Sequence, residues 1–199
     1  MRILAFSDLH RNRDISQSIV AMSRDADVVV GAGDFATKGE GLTETFDILR
    51  RITVPVAFVA GNHDSLAGMQ DAMRGWQAAQ LLHGTGVVIQ NVPFFGLGYE
   101  VPAGEPHSWN QRLEEAEADA MLAHCPQSAV LVTHCPPFGV ADLQRNGEHE
   151  GSRAIRSVIE RRQPRLALCG HIHNAWGMKG MIGSCPVHNL GPSVHWFEV

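Results

Sequence analysis

"VPVAFVAGNHDS", residues 54–65, sets a short apolar run directly against Asn62, His63 and Asp64, three polar side chains that each need a partner. An apolar run of this length closed by a glycine reads as a buried strand over 54–60. The same device comes twice before it. "RILAFSD" (2–8) reads as a strand, and "DVVVGAGD" (27–34) as a second one ending in a Gly-rich turn. Between these two, Ile15, Ile19 and Met22 recur at i, i+4 and i+7, one face of a helix over 13–23. Thr43 can cap a further helix carrying Phe46 and Leu49. The order is β-α-β-α-β, and strands apolar on both faces argue for an α/β fold with a largely parallel sheet covered by helices.

Downstream, "GVVIQNVPFFGLG" (86–98) reads as two short strands around a turn at Asn91 to Pro93. Trp109, Leu113, Ala116 and Ala120 are expected to line a helix whose other face holds Glu114, Glu115 and Glu117. "SAVLVTH" is a strand ending at His134, residues 152–162 a helix with Ile155, Val158 and Ile159 inward, and "RLALCGHIH" a strand ending at His171 and His173. Residues 181–199 are expected to form terminal β structure, and the Pro- and Gly-rich stretch 99–109 an exposed loop.

With 199 residues, 44% of them hydrophobic, the chain suits one domain over 1–199 with a sizeable core. A formal charge of -5 advertises no polyanion as partner, so nucleic acid is expected only as a small nucleotide. No apolar run approaches bilayer length, and Asp8 and His10 interrupt the start where a signal peptide would stay apolar, which points to a cytoplasmic protein without membrane contact. Cys125, Cys135, Cys169 and Cys185 lie far apart, and they read as reduced thiols rather than a zinc ribbon or disulfide scaffold.

Eleven histidines stand against one tyrosine, and they fall in a pattern. Apolar strands end in Asp8 and His10, in Asp34, in Asn62 with His63 and Asp64, in His134, and in His171 and His173. Carboxyl ends of parallel strands form the crevice where open α/β sheets bind ligands, so these scattered residues can meet. Singly, each has a bland reading: Asn62 could cap a helix starting near Ser65, Gly33-Asp34 could be a turn, and His134 a satisfied partly buried ring. Together, carboxylate, amide oxygen and imidazole suit divalent metals such as Mn²⁺, Fe²⁺ or Zn²⁺. Asp8, His10, Asp34, Asn62, His134, His171 and His173 are too many for one ion, and two ions sharing a bridging carboxylate would use them all. His171 and His173 are expected on the same side of an extended segment.

"DLH" (8–10), "GD" (33–34), "GNHD" (61–64), "TH" (133–134) and "GHIH" (170–173) resemble, in order, the five motifs of the calcineurin-like metallophosphoesterase family. The flanks "LVTHCPPFG" and "CGHIHNAWG" are similar to its small phosphodiesterase-like members, especially the metallophosphoesterase-domain-containing (MPPED-type) branch. The resemblance implies an αββα sandwich of two mixed β-sheets flanked by helices. It implies a first metal on Asp8, His10, Asp34 and His173, and a second on Asp34, Asn62, His134 and His171, with Asp34 bridging and Mn²⁺ the leading candidate. On that ligand set His63 is left as candidate catalyst. It would act as general acid toward the leaving alkoxide, with Asp64 orienting its ring, while a hydroxide between the metals attacks phosphorus. The expected function is hydrolysis of small phosphodiesters, with a phosphomonoesterase, including a phosphoprotein phosphatase, or a protein-binding scaffold as alternatives. Arg11, directly after the first motif, is a weaker candidate for phosphate contact. The oligomeric state stays open.

Overall fold

Alternation along β1 (Arg2–Phe6) already divides the molecule into layers: Ile3 and Ala5 face one way, Leu4 and Phe6 the other, and all four are buried. The computed structural model describes residues Met1–Val199. Ile3 and Ala5 join Val28, Val30, Ala57, Phe94, Val130, Val132 and Leu168 in an apolar layer between two sheets. Leu4 and Phe6 instead pack outward with Ile19, Phe46, Leu49 and Met69, beneath helices. This strand must be apolar on both faces because both faces are covered.

The first sheet has the order β11-β1-β2-β3-β4, with β2 Val28–Gly31, β3 Val56–Phe58, β4 Ala79–Leu81 and β11 His195–Glu198. Its neighbours run parallel except the edge strand β11. The second sheet has the order β5-β6-β7-β8-β10-β9, built from β5 Thr85–Ile89, β6 Val92–Leu97, β7 Val130–Thr133, β8 Leu166–Cys169, β9 Lys179–Ile182 and β10 Cys185–Asn189. Its two outermost pairs are antiparallel and the strands between run parallel. Helices α1 (Arg13–Met22), α2 (Leu42–Leu49) and α3 (Leu66–Ala72) cover the first sheet, and α4 (Glu115–Leu122) and α5 (Arg153–Arg162) the second. Two mixed sheets flanked by helices are the expected αββα sandwich. No helix is long and apolar enough to cross a membrane.

Some local expectations need correction. Gly41, at φ 79°, precedes α2, and Thr43 lies inside the helix, where the Thr45 hydroxyl bonds back to Gly41 O. Trp109 and Leu113 lie before α4 rather than on it: Glu114 and Glu117 form a capping box that starts the helix, and its buried residues are Ala118 and Leu122. Ser65, not Asn62, caps α3 by accepting from Gly68 N. His171 has φ 67° and His173 opens a 3-10 turn, so the segment bearing them is not extended. The four cysteines are free and buried.

Candidate metal centre

Each predicted loop leaves the carboxyl end of a parallel strand, and backbone bonds tie these loops together. Asp8 N donates to Gly33 O, His10 N to Asp34 O, and Gly170 N to His134 O. Asp8, His10, Asp34 and His171 all occupy the left-handed region, at φ 53°, 42°, 56° and 67°. For non-glycine residues such conformations are uncommon and concentrate at functional sites. Packing holds them there. Phe35, directly after Asp34, sits among Phe6, Phe46 and Phe58 with ring centroids 6.1, 5.1 and 4.9 Å away. This buried anchor turns the preceding carboxylate toward the sheet edge.

Asp34 is the hub. Its Oδ2 stands 3.5 Å from His10 Nε2 and 3.9 Å from His63 Nε2, while its Oδ1 stands 3.5 Å from His134 Nε2. The two oxygens thus face two different sets of residues. Asp8, His10 and His173 form one group: His10 Nε2 is 3.4 Å from His173 Nε2, which is 3.9 Å from Asp8 Oδ1. Asp8, Asp34 and His134 form another, extended by Asn62, whose Oδ1 is 3.0 Å from His134 Nε2. The His171 ring packs against that of His134, with centroids 4.9 Å apart, and its Nε2 lies 3.7 Å from Glu100 Oε1. His171 therefore borders the second group.

Proton accounting shows what the cluster is suited to hold. Burial and the neighbouring His171 keep the His134 pKa well below the usual histidine value, so the ring is neutral and carries one proton. Its Nδ1 faces Ala32 O at 2.8 Å, which fixes the proton there. Its Nε2 lone pair then meets the Asn62 carbonyl oxygen, which Asn110 holds in place by accepting from Asn62 Nδ2 at 2.9 Å. His10 repeats the pattern, with Nδ1 toward Ala36 O at 3.2 Å and Nε2 toward His173 and Asp34. Lone pairs converging without a proton between them are the ligand set of a cation. The buried carboxylates agree. Burial, then the Asp64 and Asp8 charges, lift the Asp34 pKa well above the usual value, and burial raises that of Asp8. A divalent ion is the partner that would let both ionise.

His63 differs from the rings around it. Lys38 N donates to its Nδ1 at 2.6 Å, so its proton sits on Nε2, the edge facing Asp34. Although His10, Asp34 and His63 lie close enough to share an ion, a protonated Nε2 cannot ligate one. Burial and the surrounding rings and Lys38 push its pKa down to about 4. Trp109 stacks on the ring at 4.5 Å and 24°.

Asp64 does not have the expected place. Its carboxylate is fully buried and accepts from the backbone N–H groups of Phe35, Ala36 and Gly61, binding the β2 and β3 loops to one another. Lys38 and Trp109, rather than Asp64, orient His63. Arg11 pairs with the exposed Glu40 at 3.7 Å and lies over Gly41, outside the cluster. The sequence reading missed Glu100 and Asn110, which stand in the irregular stretch around 99–111 that offers no periodicity to read.

Residues 1–175 match the family described as calcineurin-like phosphoesterase. A UPF0046 protein of Caenorhabditis elegans is 29% identical over 197 residues, covering 89% of this chain and 65% of its own length. The human metallophosphoesterase domain-containing protein 1 is 30% identical over 89 residues, 43% of this chain and 24% of that protein. The chain thus spans less than two thirds of these relatives. Among solved structures, a protein from Thermus thermophilus superposes with a TM-score of 0.77 at 18% identity, over 98% of this chain and 97% of that one.

Proposed function

The chain belongs to the calcineurin-like phosphoesterase family, and from that premise we propose that it hydrolyses small phosphodiesters with two divalent metal ions, Mn²⁺ by preference. The observation that carries this reading is the division of the Asp34 carboxylate, Oδ2 toward His10 and Oδ1 toward His134. Asp8, His10, Asp34 and His173 would hold one ion, and Asp34, Asn62, His134 and His171 the other. Bound there, the ions would polarise the phosphoryl oxygens and lower the pKa of water.

The chain's own groups supply the rest. Asn110 keeps the Asn62 amide oxygen turned inward, and the Ala32 and Ala36 carbonyls hold His134 and His10 in the tautomer whose Nε2 is free. His63 presents its Nε2–H to the same centre, where it can donate a hydrogen bond to the leaving oxygen as charge develops there, with the ring held by Lys38 N and Trp109. A hydrogen-bonding group so placed contributes about 10²- to 10⁴-fold.

The cavities around the centre favour a diester. Two of them, with no residue in common, border it, one of about 650 Å³ reaching His171 and one of about 420 Å³ reaching His63. A diester has two arms to place; a monoester has one.

The test is to strip the protein with chelator, restore Mn²⁺, and compare initial rates on bis-p-nitrophenyl phosphate and p-nitrophenyl phosphate. A metal-dependent excess for the diester is expected. An excess for the monoester would replace this reading with a phosphomonoesterase, and no turnover with about two ions bound would replace it with a binding scaffold.

A further inference from the structure

Outside the metal cluster the structure holds a second carboxylate–histidine pair. Asp142 is fully buried, and its Oδ1 lies 2.6 Å from His149 Nδ1. Its Oδ2 accepts from Gly139 N and Gly151 N, both at 2.9 Å. The carboxylate is therefore fixed by the loop that joins β7 to α5, and the imidazole is fixed by the carboxylate. His149 is 41% exposed in its side chain and borders the 650 Å³ cavity that also reaches His171. With Nδ1–H given to Asp142, Nε2 is the edge left for a ligand, and in the neutral ring it offers a lone pair.

The rest of that cavity is rich in acceptors as well. Glu100, Glu105 and Glu150 line it, together with Phe138 and with Arg153, whose guanidinium lies over the Phe138 ring at 4.2 Å. Such a lining suits an organic group that brings its own hydrogen-bond donors. A volume in this range takes small-molecule ligands.

Building on the diester reading above, we propose that His149, positioned by Asp142, binds the ester arm that stays on phosphorus, and that this arm is a hydroxyl-bearing alcohol of about nucleoside size. The leaving arm then lies on the His63 side. The two histidines have separate duties: His63 acts at the bond that breaks, and His149 recognises the group that does not leave.

Three chromogenic substrates with one common leaving group test this: thymidine 5′-p-nitrophenyl phosphate, bis-p-nitrophenyl phosphate and p-nitrophenyl phosphate. For His149→Ala we expect KM for the thymidine diester to rise about tenfold with kcat nearly unchanged, because one hydrogen bond to the retained arm is lost. Rates on the other two, whose retained groups carry no such donor or are missing, stay within about twofold of the unsubstituted protein. His149→Gln, which keeps an acceptor, should fall between. An unchanged KM for the thymidine diester overturns the assignment of His149, as does an equal loss on all three substrates, which marks a purely structural role. Failure of the unsubstituted protein to cleave either diester instead overturns the diester reading, and this proposal with it.

Discussion

The backbone N–H of Lys38 donates to His63 Nδ1 across 2.6 Å, and this bond separates His63 from the other histidines of the cluster. His10 and His134 each give their Nδ1 proton to a carbonyl and present a bare Nε2, whereas His63 presents a protonated one. Identical side chains thus acquire opposite roles from the backbone group each meets. His63→Gln is expected to keep about two metal ions per chain, read by elemental analysis, while kcat falls about 10²- to 10⁴-fold. Loss of an ion along with the activity would make His63 a ligand instead.

Asp64 invites the contrary expectation. Its oxygens satisfy three buried N–H groups, and each such group left without a partner costs about 1–3 kcal/mol. Asp64→Ala should therefore lower the stability of the metal-free protein by about 3 kcal/mol or more. Urea unfolding measures it directly, and an unchanged midpoint would contradict the structural role.

How much of this was legible in sequence follows from what creates each feature. Asp8, Asp34, Asn62 and His134 come directly after buried apolar runs, and a run that must be covered on both faces announces its own end. Helices α1 and α5 were legible because their apolar positions repeat at helical spacing and a side chain caps each start, Asn12 and Ser152. The duty of Asp64 and the orientation of His63 depend on backbone N–H groups 25 to 29 positions away, which no residue type records. The Trp109 to Ala120 spacing imitates a helix face, yet Glu114 and Glu117 cap the chain five residues after Trp109 and send that ring onto His63. Strand β4 is three residues long and only half-buried, too short to carry a periodic signal. Asp142 and His149 lie in a loop whose pairing exists only in three dimensions.

The metal-free cluster holds Asp8, Asp34 and Asp64 buried together, and burial raises the pKa values of all three above the ordinary 3.8. A carboxyl whose pKa is higher in the folded state stabilises the fold fully below its ordinary pKa and loses that contribution as pH rises through the raised value. The carboxyl contribution to the chelated protein's stability should therefore fall as pH climbs from the acidic side toward neutrality, against an opposite contribution from His63 and His134, whose pKa values are lowered. Asp34→Asn, which removes one buried charge while keeping an oxygen for the His63 N–H, should flatten that dependence and raise the metal-free melting temperature. In the unsubstituted protein Mn²⁺ at 100 times its Kd should add about 2.7 kcal/mol for each ion bound. Asp34→Asn should lose most of that gain. Thermal scans with and without metal at several pH values provide the check; a metal response that survives in Asp34→Asn would remove this carboxylate from the bridging position.

Two glycines back the carboxylates of Asp34 and Asp8. A Cβ on Gly61 would collide with the Asp34 carboxylate and backbone N, and one on Gly170 with Ser7 Oγ and Asp8 Oδ2. Neither neighbour can yield easily, since both carboxylates lie in loops pinned at positive φ. Gly61→Ala displaces the residue assigned to both ions, so metal content should fall toward zero. Gly170→Ala displaces Asp8, assigned to one ion only, and should leave about one ion per chain, held by Asp34, Asn62, His134 and His171. Both variants are expected to keep the fold, because the two glycines lie outside the apolar layers. Metal analysis after gel filtration, with circular dichroism as the folding control, distinguishes them. Equal losses in the two would mean that the ions bind as a single unit, and full retention in Gly61→Ala would mean that Asp34 is not the shared ligand.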